Sequence, residues 1–472
     1  MGKSKANMIK AGMWYIVCNI ILKSIGLLTT PLFVRVLSQN DVGMFSNIQS
    51  WVSILTILSS LSLYSSVNNA KFDYEGRSFN SFLSSITVLG TIITVIFLCV
   101  LLCFYSILES ILGIEKKYFV IIFAYLFFQP ATSIYLAKNR SSLLYKQTIV
   151  VTISTSVLTI GISLLLVLML PNKLDGRVAG AYIPSAFIGL ALYIVLVNKG
   201  KTVAFSHWKY TLSISFPLAV HLLSGTILSS TDRIMITNVC GASDTALYSV
   251  AYLLVSIPTL LWESVNAAWG PWCFIQFNEK SFFQVRKNSK FLLFCFGILI
   301  FLVALLAPEG LYVLGGNDYV VAAPAVPPTL CGCILVIAYT LYVNVEQFYK
   351  KQVFVAIGTS IAAIINITLN YLFIPIFGYI AAAYTTMVGF FMLFVFHYLI
   401  CKYMLKKNSI YDTRFMFCFL AAVIMAIFSN LVLYSYTIIR YMIVGLTTLT
   451  LIGLIYIKRK QLFNIIRAKS IA

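Results

Sequence analysis

The sequence predicts an all-α integral membrane protein with about 14 transmembrane helices. Its 472 residues are 60% hydrophobic and only 10% charged, and the mean hydropathy is +0.93. Too few polar side chains remain to cover a water-soluble globule of this size. Fourteen segments approach the length of about 20 apolar residues that a transmembrane helix needs. They lie near 11–36, 43–67, 82–107, 118–137, 146–170, 178–198, 210–237, 246–275, 291–307, 320–345, 353–374, 379–401, 415–434 and 441–457.

The basic residues indicate how these spans are oriented. With the N-terminus placed in the cytoplasm, 26 of the 34 Lys and Arg residues fall on the cytoplasmic side and 6 on the outer side. This bias is the positive-inside rule, and it predicts that both termini are cytoplasmic. The net charge of +20 is therefore a topology signal. Nucleic-acid binding would place such charge on a folded, water-facing patch, so no nucleic-acid partner is predicted.

The chain contains an internal repeat. Three stretches match later ones at nearly one spacing: 36–54 with 239–257, 136–147 with 341–352, and 176–182 with 378–384. Because the matched halves lie an even number of spans apart, the repeat is parallel and its axis is expected to follow the membrane normal. The sequence thus predicts two pseudo-symmetric six-helix lobes, 1–200 and 201–405. Two extra helices and a basic cytoplasmic tail follow in 406–472.

Polar side chains form a stripe on one span of each half. In span 8 they recur at alternating steps of three and four, as expected for one helix face. They are Ser249, Tyr252, Ser256, Thr259, Glu263, Asn266 and Gly270. The corresponding face of span 2 carries Ser46, Gln49, Ser53, Thr56 and Ser60. A polar stripe in lipid must face protein or a water-filled cavity, so both interhelical hydrogen bonding and a substrate pathway are open interpretations.

Two basic residues lie inside spans. Lys23 is about twelve residues from either end of span 1, where a charge costs at least about 2.5 to 3.5 kcal/mol on the insertion scale. It is therefore expected to face water. The repeat places Arg233 on the equivalent face of span 7, although an interfacial pair with Asp232 is the alternative. For Glu263 the alternative is a neutral, hydrogen-bonded carboxyl. The excess of cations favours an anionic ligand such as a phosphate.

The ten cysteines and three histidines predict neither a metal site nor a cofactor. The closest cysteine spacings, Cys99 to Cys103 and Cys331 to Cys333, match no zinc or disulfide framework. The histidines are scattered along the chain, and no phosphate-binding loop of an ATPase is present. ATP hydrolysis by this chain is therefore not expected.

Two stretches resemble a known family. They are SFPLAVHLLSGTILSSTDRIMITNVCGASDTALYSVAYLL at 215–254 and RVLSQNDVGMFSNIQSWVSI at 35–54. They look like the signature regions of the polysaccharide flippases, the O-antigen and capsule repeat-unit translocases of the multidrug/oligosaccharidyl-lipid/polysaccharide exporter superfamily. The resemblance covers roughly residues 10–460 in span pattern, length and repeat.

The resemblance implies a V-shaped, two-lobed flippase of the bacterial inner membrane that works by alternating access. Its substrate would be an undecaprenyl-diphosphate-linked oligosaccharide, moved to the outer leaflet for O-antigen, capsule or exopolysaccharide assembly. A polysaccharide polymerase and a chain-length regulator are the implied partners. In related flippases basic cavity residues hold the diphosphate, and by position Lys23 and Arg233 would do so here. The chain has few cavity arginines, unlike the murein-precursor flippases, which argues against that substrate.

The remaining predicted contacts follow from the stripes. The glycan would be hydrogen-bonded by Gln49, Ser53, Thr56, Tyr252, Thr259 and Asn266. Any ion coupling would run through the two second-lobe carboxyls, Asp232 and Glu263, because no acid lies deep in the first lobe.

Two other functions are possible from the sequence. A cation-coupled drug antiporter of the same superfamily needs an intramembrane acid, which Asp232 or Glu263 could supply. A membrane polysaccharide polymerase or glycosyltransferase needs paired carboxylates on one face. The candidates, Glu309 and Asp318, are separated by a glycine-rich turn. The sequence therefore predicts a transporter, not an enzyme.

Overall fold

The described residues of the protein, 29–104, 112–407 and 410–467 of a computed structural model, form helices joined by short connections. The α-helices are numbered in chain order: α1 (29–36), α2 (Gln39–Ser60), α3 (Val67–Asp73), α4 (Gly76–Cys103), α5 (Lys116–Ser141), α6 (Tyr145–Met169), α7 (Lys173–Gly200), α8 (Phe205–Val239), α9 (Ala242–Asn278), α10 (Phe282–Leu305), α11 (Ala307–Gly315), α12 (Val326–Phe348), α13 (Gln352–Phe377), α14 (Tyr379–Leu399), α15 (Thr413–Leu433) and α16 (Thr437–Arg467). The 3-10 helices are Leu63–Ser66 and Asn317–Ala325, and Ile400–Met404 is a π-helix.

Thirteen helices within the described ranges are long and apolar enough to cross a membrane. They correspond one to one with the predicted spans 2 to 14. The first of them is Gln39–Ser60 and the last is Thr437–Leu454. The predicted first span, near 11–36, lies mostly outside the described residues. The predicted all-helical, multi-span organisation is confirmed.

The second span differs from its predicted limits of 43–67. α2 ends at Ser60, because Leu61 and Ser62 adopt left-handed backbone conformations with φ of 44° and 50°. The Ser60 hydroxyl accepts a hydrogen bond from the Ser62 N–H at 3.3 Å. Such local side-chain bonds compete with helix continuation. The chain then turns through Leu63–Ser66 into α3, so a polar turn stands where an unbroken apolar helix was predicted.

Several helices begin at polar capping residues. The Ser38 hydroxyl accepts from the Asp41 N–H at 3.1 Å before α2, and the Asn172 amide oxygen accepts from the Leu174 N–H at 3.1 Å before α7. The Asp412 carboxylate accepts from the Phe415 N–H at 3.1 Å before α15. Each cap satisfies a backbone donor that the first turn leaves unpaired, which stabilises a helix by about 1 kcal/mol.

The chain divides into two compact units, Met1–Thr245 and Ala246–Ala472. In the first unit α7 packs against α4, α5 and α6, and α2 packs against α8. Glycines permit the closest of these approaches. A Cβ at Gly180 of α7 would lie 2.2 Å from the Ser163 Cα of α6, and one at Gly43 of α2 would lie 1.6 Å from the Ala242 carbonyl oxygen. Gly43 and Ala242 belong to the two stretches that repeat one another in the sequence.

In the second unit α12 lies at the centre and packs against α14, α15 and α10. α13 and α14 are joined by a buried polar network in which the Asn366 amide donates to the Thr386 hydroxyl at 3.2 Å. The two extra helices are held to this unit by ion pairs. Lys290 of α10 binds Asp412 at 2.6 Å, and Arg440 of α16 binds Glu309 of α11.

The sequence repeat and the helix contacts assign α8 to different halves of the protein. The sequence repeat places α8 first in the second lobe. Its contacts with α2, α4 and Leu63–Ser66 place it in the first compact unit. The predicted lobes 1–200 and 201–405 describe the repeat and stay predictions.

Candidate functional site

A polar cavity of about 390 Å³ lies inside the first unit, between the turn that follows α2 and the helices α2, α5, α6 and α8. Its apolar walls are Ile57, Leu136 and Leu222. Its polar lining is Thr56, Ser60, Ser62, Tyr64, Gln129, Ser133, Arg140, Thr148, Thr152 and Thr226. The turn at Leu61 and Ser62 contributes directly to this site, because it brings Ser62 and Tyr64 beside the end of α2.

Two hydroxyls of the lining bond to the backbone of their own helix. Ser60 donates to the Thr56 carbonyl at 2.7 Å, and Thr152 donates to the Thr148 carbonyl at 2.6 Å. These hydroxyl oxygens keep acceptor lone pairs. The lining is therefore able to accept hydrogen bonds from sugar hydroxyls or water.

Two lining atoms are buried without a hydrogen-bond partner in the described part of the chain. They are the Gln129 amide oxygen and the Thr148 hydroxyl, and Thr148 is only 8% exposed. The Gln129 amide nitrogen is satisfied, since it donates to Ser133 at 2.9 Å. A buried polar atom left unpaired costs about 1 to 3 kcal/mol. The cavity thus presents one acceptor and one hydroxyl that are available to a ligand.

Arg140 supplies a positive charge to this cavity. It lies near the C-terminal end of α5 with an exposed side chain. No carboxylate of the described residues lies within ion-pair distance of it. Lys138 of the same helix lies close enough to Lys199 of α7 for the two ammonium groups to repel each other. This end of the first unit therefore has a positive potential suited to an anion.

The predicted residues of the first span and of α2 have different outcomes. Lys23 lies outside the described residues. Thr56 lines the cavity, together with Ser60 of the same predicted stripe. Gln49 and Ser53 are exposed on α2 and are not part of the cavity lining. The predicted stripe thus meets the cavity only at its last turn.

Asp232 and Arg233 lie on α8 beyond the cavity. Asp232 is 1% exposed and shares a helix face with the buried residues Leu228 and Ile236. The Arg233 guanidinium donates to the Ser229 carbonyl at 3.0 Å. Neither residue lines the cavity. The residues of α8 that do are Leu222 and Thr226, and the shift of 203 carries Lys23 to Thr226.

The predicted residues of α9 lie in the second unit. Asn266 accepts a hydrogen bond from the Asn344 amide of α12 at 3.2 Å, and Thr259 lies 3.5 Å from the Cys333 sulfur. Tyr252 is half-buried and Glu263 is exposed. Part of this stripe therefore serves interhelical hydrogen bonding, the alternative that the sequence left open. Substrate contact by these residues stays a prediction.

Most of the cavity lining is not among the residues that the sequence predicts. In the sequence Arg140 contributes to the positive-inside bias, and the hydroxyls of α6 are not among the predicted site residues. A signal for the latter exists, since hydroxyl residues recur along one side of α6. They are Thr148, Thr152, Thr155, Thr159 and Ser163. The signal for α5 is Gln129, an amide next to Pro130 within an apolar span.

Residues 8–276, more than half of the chain, match the family model of the polysaccharide biosynthesis proteins. The chain belongs to this polysaccharide biosynthesis protein family. No curated protein matches its sequence. The family recognised in the sequence is confirmed.

Several solved structures have a fold similar to that of this chain. The lipid II flippase MurJ in an inward closed conformation has a TM-score of 0.72 at 15% identity, over 94% of this chain and 98% of MurJ. An inward-facing multidrug resistance MATE family transporter has a TM-score of 0.61 at 12% identity, over 82% of this chain and 96% of the transporter. A transporter from Pyrococcus furiosus has a TM-score of 0.54 at 13% identity, over 86% of this chain and 96% of the transporter. The chain therefore shares the fold of these solved flippase and transporter structures.

Proposed function

We propose that this protein translocates an undecaprenyl-diphosphate-linked oligosaccharide from the inner to the outer leaflet of the bacterial inner membrane by alternating access. The single observation that carries the proposal is the cavity of the first unit. It is lined by Arg140, which forms no ion pair with a carboxylate of the described residues. The same lining includes two polar atoms without a hydrogen-bond partner there, the Gln129 amide oxygen and the Thr148 hydroxyl. Membership in a polysaccharide biosynthesis family supports a glycan-linked cargo.

The chemistry of the lining suits a lipid diphosphate joined to a sugar. A guanidinium binds phosphate oxygens through two parallel N–H donors, which gives strength and orientation. The hydroxyl and amide groups of Thr56, Gln129 and Thr148 suit sugar hydroxyls. Each neutral hydrogen bond contributes only about 1 kcal/mol, which suits a passage that must release its cargo.

The cavity size limits which part of the cargo it holds. A volume of about 390 Å³ is near the lower end of pockets that enclose a drug-sized molecule. It accommodates a diphosphate with its first sugar, not a whole oligosaccharide and lipid tail. The rest of the cargo extends beyond the cavity.

The predicted topology places this cavity at the loading side. With the N-terminus in the cytoplasm, Arg140, Ser62 and Thr148 all lie near the cytoplasmic ends of their spans. A lipid-linked substrate assembled on the cytoplasmic face would enter there. The translocated unit would then be used by a polysaccharide polymerase and a chain-length regulator for O-antigen, capsule or exopolysaccharide assembly.

Reconstitution tests the proposal. Purified protein in liposomes is given a fluorescent polyprenyl-diphosphate oligosaccharide in the inner leaflet, and its appearance outside is measured with a membrane-impermeant quencher. We expect protein-dependent translocation and no sodium- or proton-driven efflux of cationic dyes. Dye efflux that Asp232→Asn abolishes, without movement of the lipid-linked sugar, would show that the protein is an antiporter. Turnover of the sugar into polymer would show that it is an enzyme.

A further inference from the structure

The second unit contains a buried acid and base in contact. The His397 Nδ1 of α14 lies 2.8 Å from the Glu346 Oε1 of α12, and both side chains are 0% exposed. Their other polar atoms, the Glu346 Oε2 and the His397 Nε2, have no hydrogen-bond partner among the described residues. Neither residue belongs to the cavity of the first unit or to the predicted stripes.

Charge balance fixes how many protons this pair holds while it is buried. With one proton shared between them, Glu346 and His397 are neutral in sum, either as an ion pair or as two neutral groups. A second proton would leave a net positive charge, and loss of the proton would leave a net negative charge. Both are strongly disfavoured away from water. The pair therefore changes its protonation only when water reaches it.

Other titratable groups of the described residues lie around the pair. On α12 the ring of Tyr339 stacks on His397 at 5.7 Å. Cys401 of the π-helix is near enough to interact with the Glu346 charge. Tyr342 and Tyr411 lie beyond Cys401, and the Tyr411 hydroxyl is bonded to the Leu341 carbonyl at 3.1 Å. Lys290 of α10 is paired with Asp412 ahead of α15.

Two backbone features distinguish the packing around the pair. The free His397 Nε2 faces Gly358 of α13, where a Cβ would lie only 3.2 Å from it. α14 also changes into the π-helix Ile400–Met404 directly after His397 and its two neighbours. Such irregular turns are frequent at functional sites because they loosen the regular hydrogen-bond ladder. The packing of α12, α13 and α14 therefore encloses the pair.

From these observations we infer that Glu346 and His397 form a buried proton-binding site, which exchanges its proton with water only when α12, α13 and α14 separate. Its ligand is a proton, and its occupancy favours the packed arrangement of these three helices. A protonation equilibrium that depends on helix packing shifts the population of the packed state by the same coupling.

Ring nitrogen NMR of histidine tests the site without any substrate. The chain has three histidines, at 207, 221 and 397, so the His397 signal is the one that disappears in His397→Gln. In nanodiscs we expect the proton that His397 shares with Glu346 to exchange slowly with water, because the packed helices keep water from the pair. Glu346→Gln is expected to change the His397 ring-nitrogen signals, because it replaces the carboxylate partner.

Asp412→Asn is the matched control, because it removes a carboxylate from an exposed ion pair of the same unit. It is expected to leave the His397 signals and the slow exchange in place. Fast exchange of the shared proton in the wild type, or His397 signals that Glu346→Gln leaves unchanged, would overturn the proton site. If Glu346→Gln does not fold, Glu346→Asp keeps the carboxyl on a shorter side chain and is expected to change the signals as well.

Coupling of this site to transport rests on the proposed function. In liposomes an imposed pH gradient is expected to change wild-type translocation several-fold, while Glu346→Gln translocates without that response and Asp412→Asn keeps it. Wild-type translocation that ignores the gradient would overturn the coupling. A complete lack of translocation would contradict the proposed function, and the NMR measurement would still decide the proton site.

Discussion

The cavity of the first unit and the Glu346–His397 pair of the second unit differ in whether a charged side chain has a partner within the protein. They involve helices related by the sequence repeat, since 136–147, which runs from the end of α5 into α6, matches 341–352, which runs from the end of α12 to the start of α13. α5 ends in Arg140, which faces an open polar space. Near the end of α12, Glu346 is enclosed, and its Oε1 lies 2.8 Å from the His397 Nδ1. Helices related by the repeat thus carry two different sites. The charge of Arg140 is left for a ligand, whereas the charge of Glu346 is balanced by His397.

The pair is expected to be the more sensitive of the two regions to loss of stability. His397→Ala leaves Glu346 buried without its partner, which costs about 3 kcal/mol. We expect a clear fall in the thermal unfolding midpoint of the purified protein. His207→Ala is the control, since His207 only packs edge-on against Tyr74 and Phe82. Equal destabilisation by the two variants would show that the pair contributes nothing beyond ring packing.

The cavity is expected to be the more sensitive region to loss of transport. Arg140→Ala removes the charge that would bind a diphosphate, and a lost charge-assisted hydrogen bond lowers binding roughly tenfold or more. We expect translocation to fall by that factor with unchanged thermal stability. Arg140→Lys is expected to retain part of the activity. Arg77→Ala removes an exposed arginine that does not line the cavity, and it is expected to behave as wild type.

Thr148→Val is expected to have a smaller effect, on transport alone. Its hydroxyl has no hydrogen-bond partner in the described chain, so its removal breaks no bond within the protein. A lost hydrogen bond of about 1 kcal/mol to the cargo lowers translocation roughly fivefold. Thr159→Val lies on the same helix outside the cavity and serves as control. A loss of stability in Thr148→Val would mean that the hydroxyl serves the fold.

The smallest effect is expected at the exposed ion pair between Lys290 and Asp412. The hydrogen bond from Lys290 holds the pKa of Asp412 below its usual value. A lowered folded pKa contributes stability above the unfolded value of about 3.9, and that contribution is lost as the pH falls through the folded pKa. Since the pair is exposed, we expect at most about 1 kcal/mol.

Asp412→Asn measures that contribution. Asparagine also caps helices well, so the cap of α15 is retained while the charge is lost. We expect the difference in unfolding midpoint between wild type and variant to shrink as the pH is lowered toward 3 or below, roughly one unit under the unfolded value. A difference that is constant with pH would rule out the ion pair as its cause.

The helices and part of the cavity were predictable because their signals are local. Apolar length marks each span, and the spacing of Thr56 and Ser60 marks a polar helix face. Arg140 was not predictable as a cavity residue, because a basic residue at a cytoplasmic helix end satisfies the positive-inside rule with or without a cavity beside it.

Other features depend on packing between distant residues. Glu346 and His397 are 51 residues apart, and only the packing of α12 on α14 brings them together. The break at Leu61 was hidden because the residues around it remain apolar enough for a span. In the second unit, Asn266 binds Asn344, so a polar stripe that looks like a substrate path from spacing also joins helices.

Binding of undecaprenyl diphosphate to the purified protein in nanodiscs addresses the cavity most directly. The wild type and Arg77→Ala are expected to bind it saturably and with an affinity that falls as salt is raised, because the contact is ionic. Arg140→Ala is expected to bind at least roughly tenfold more weakly. Equal affinity of Arg140→Ala and wild type, or no saturable binding by the wild type, would contradict the assignment of this cavity to the lipid diphosphate.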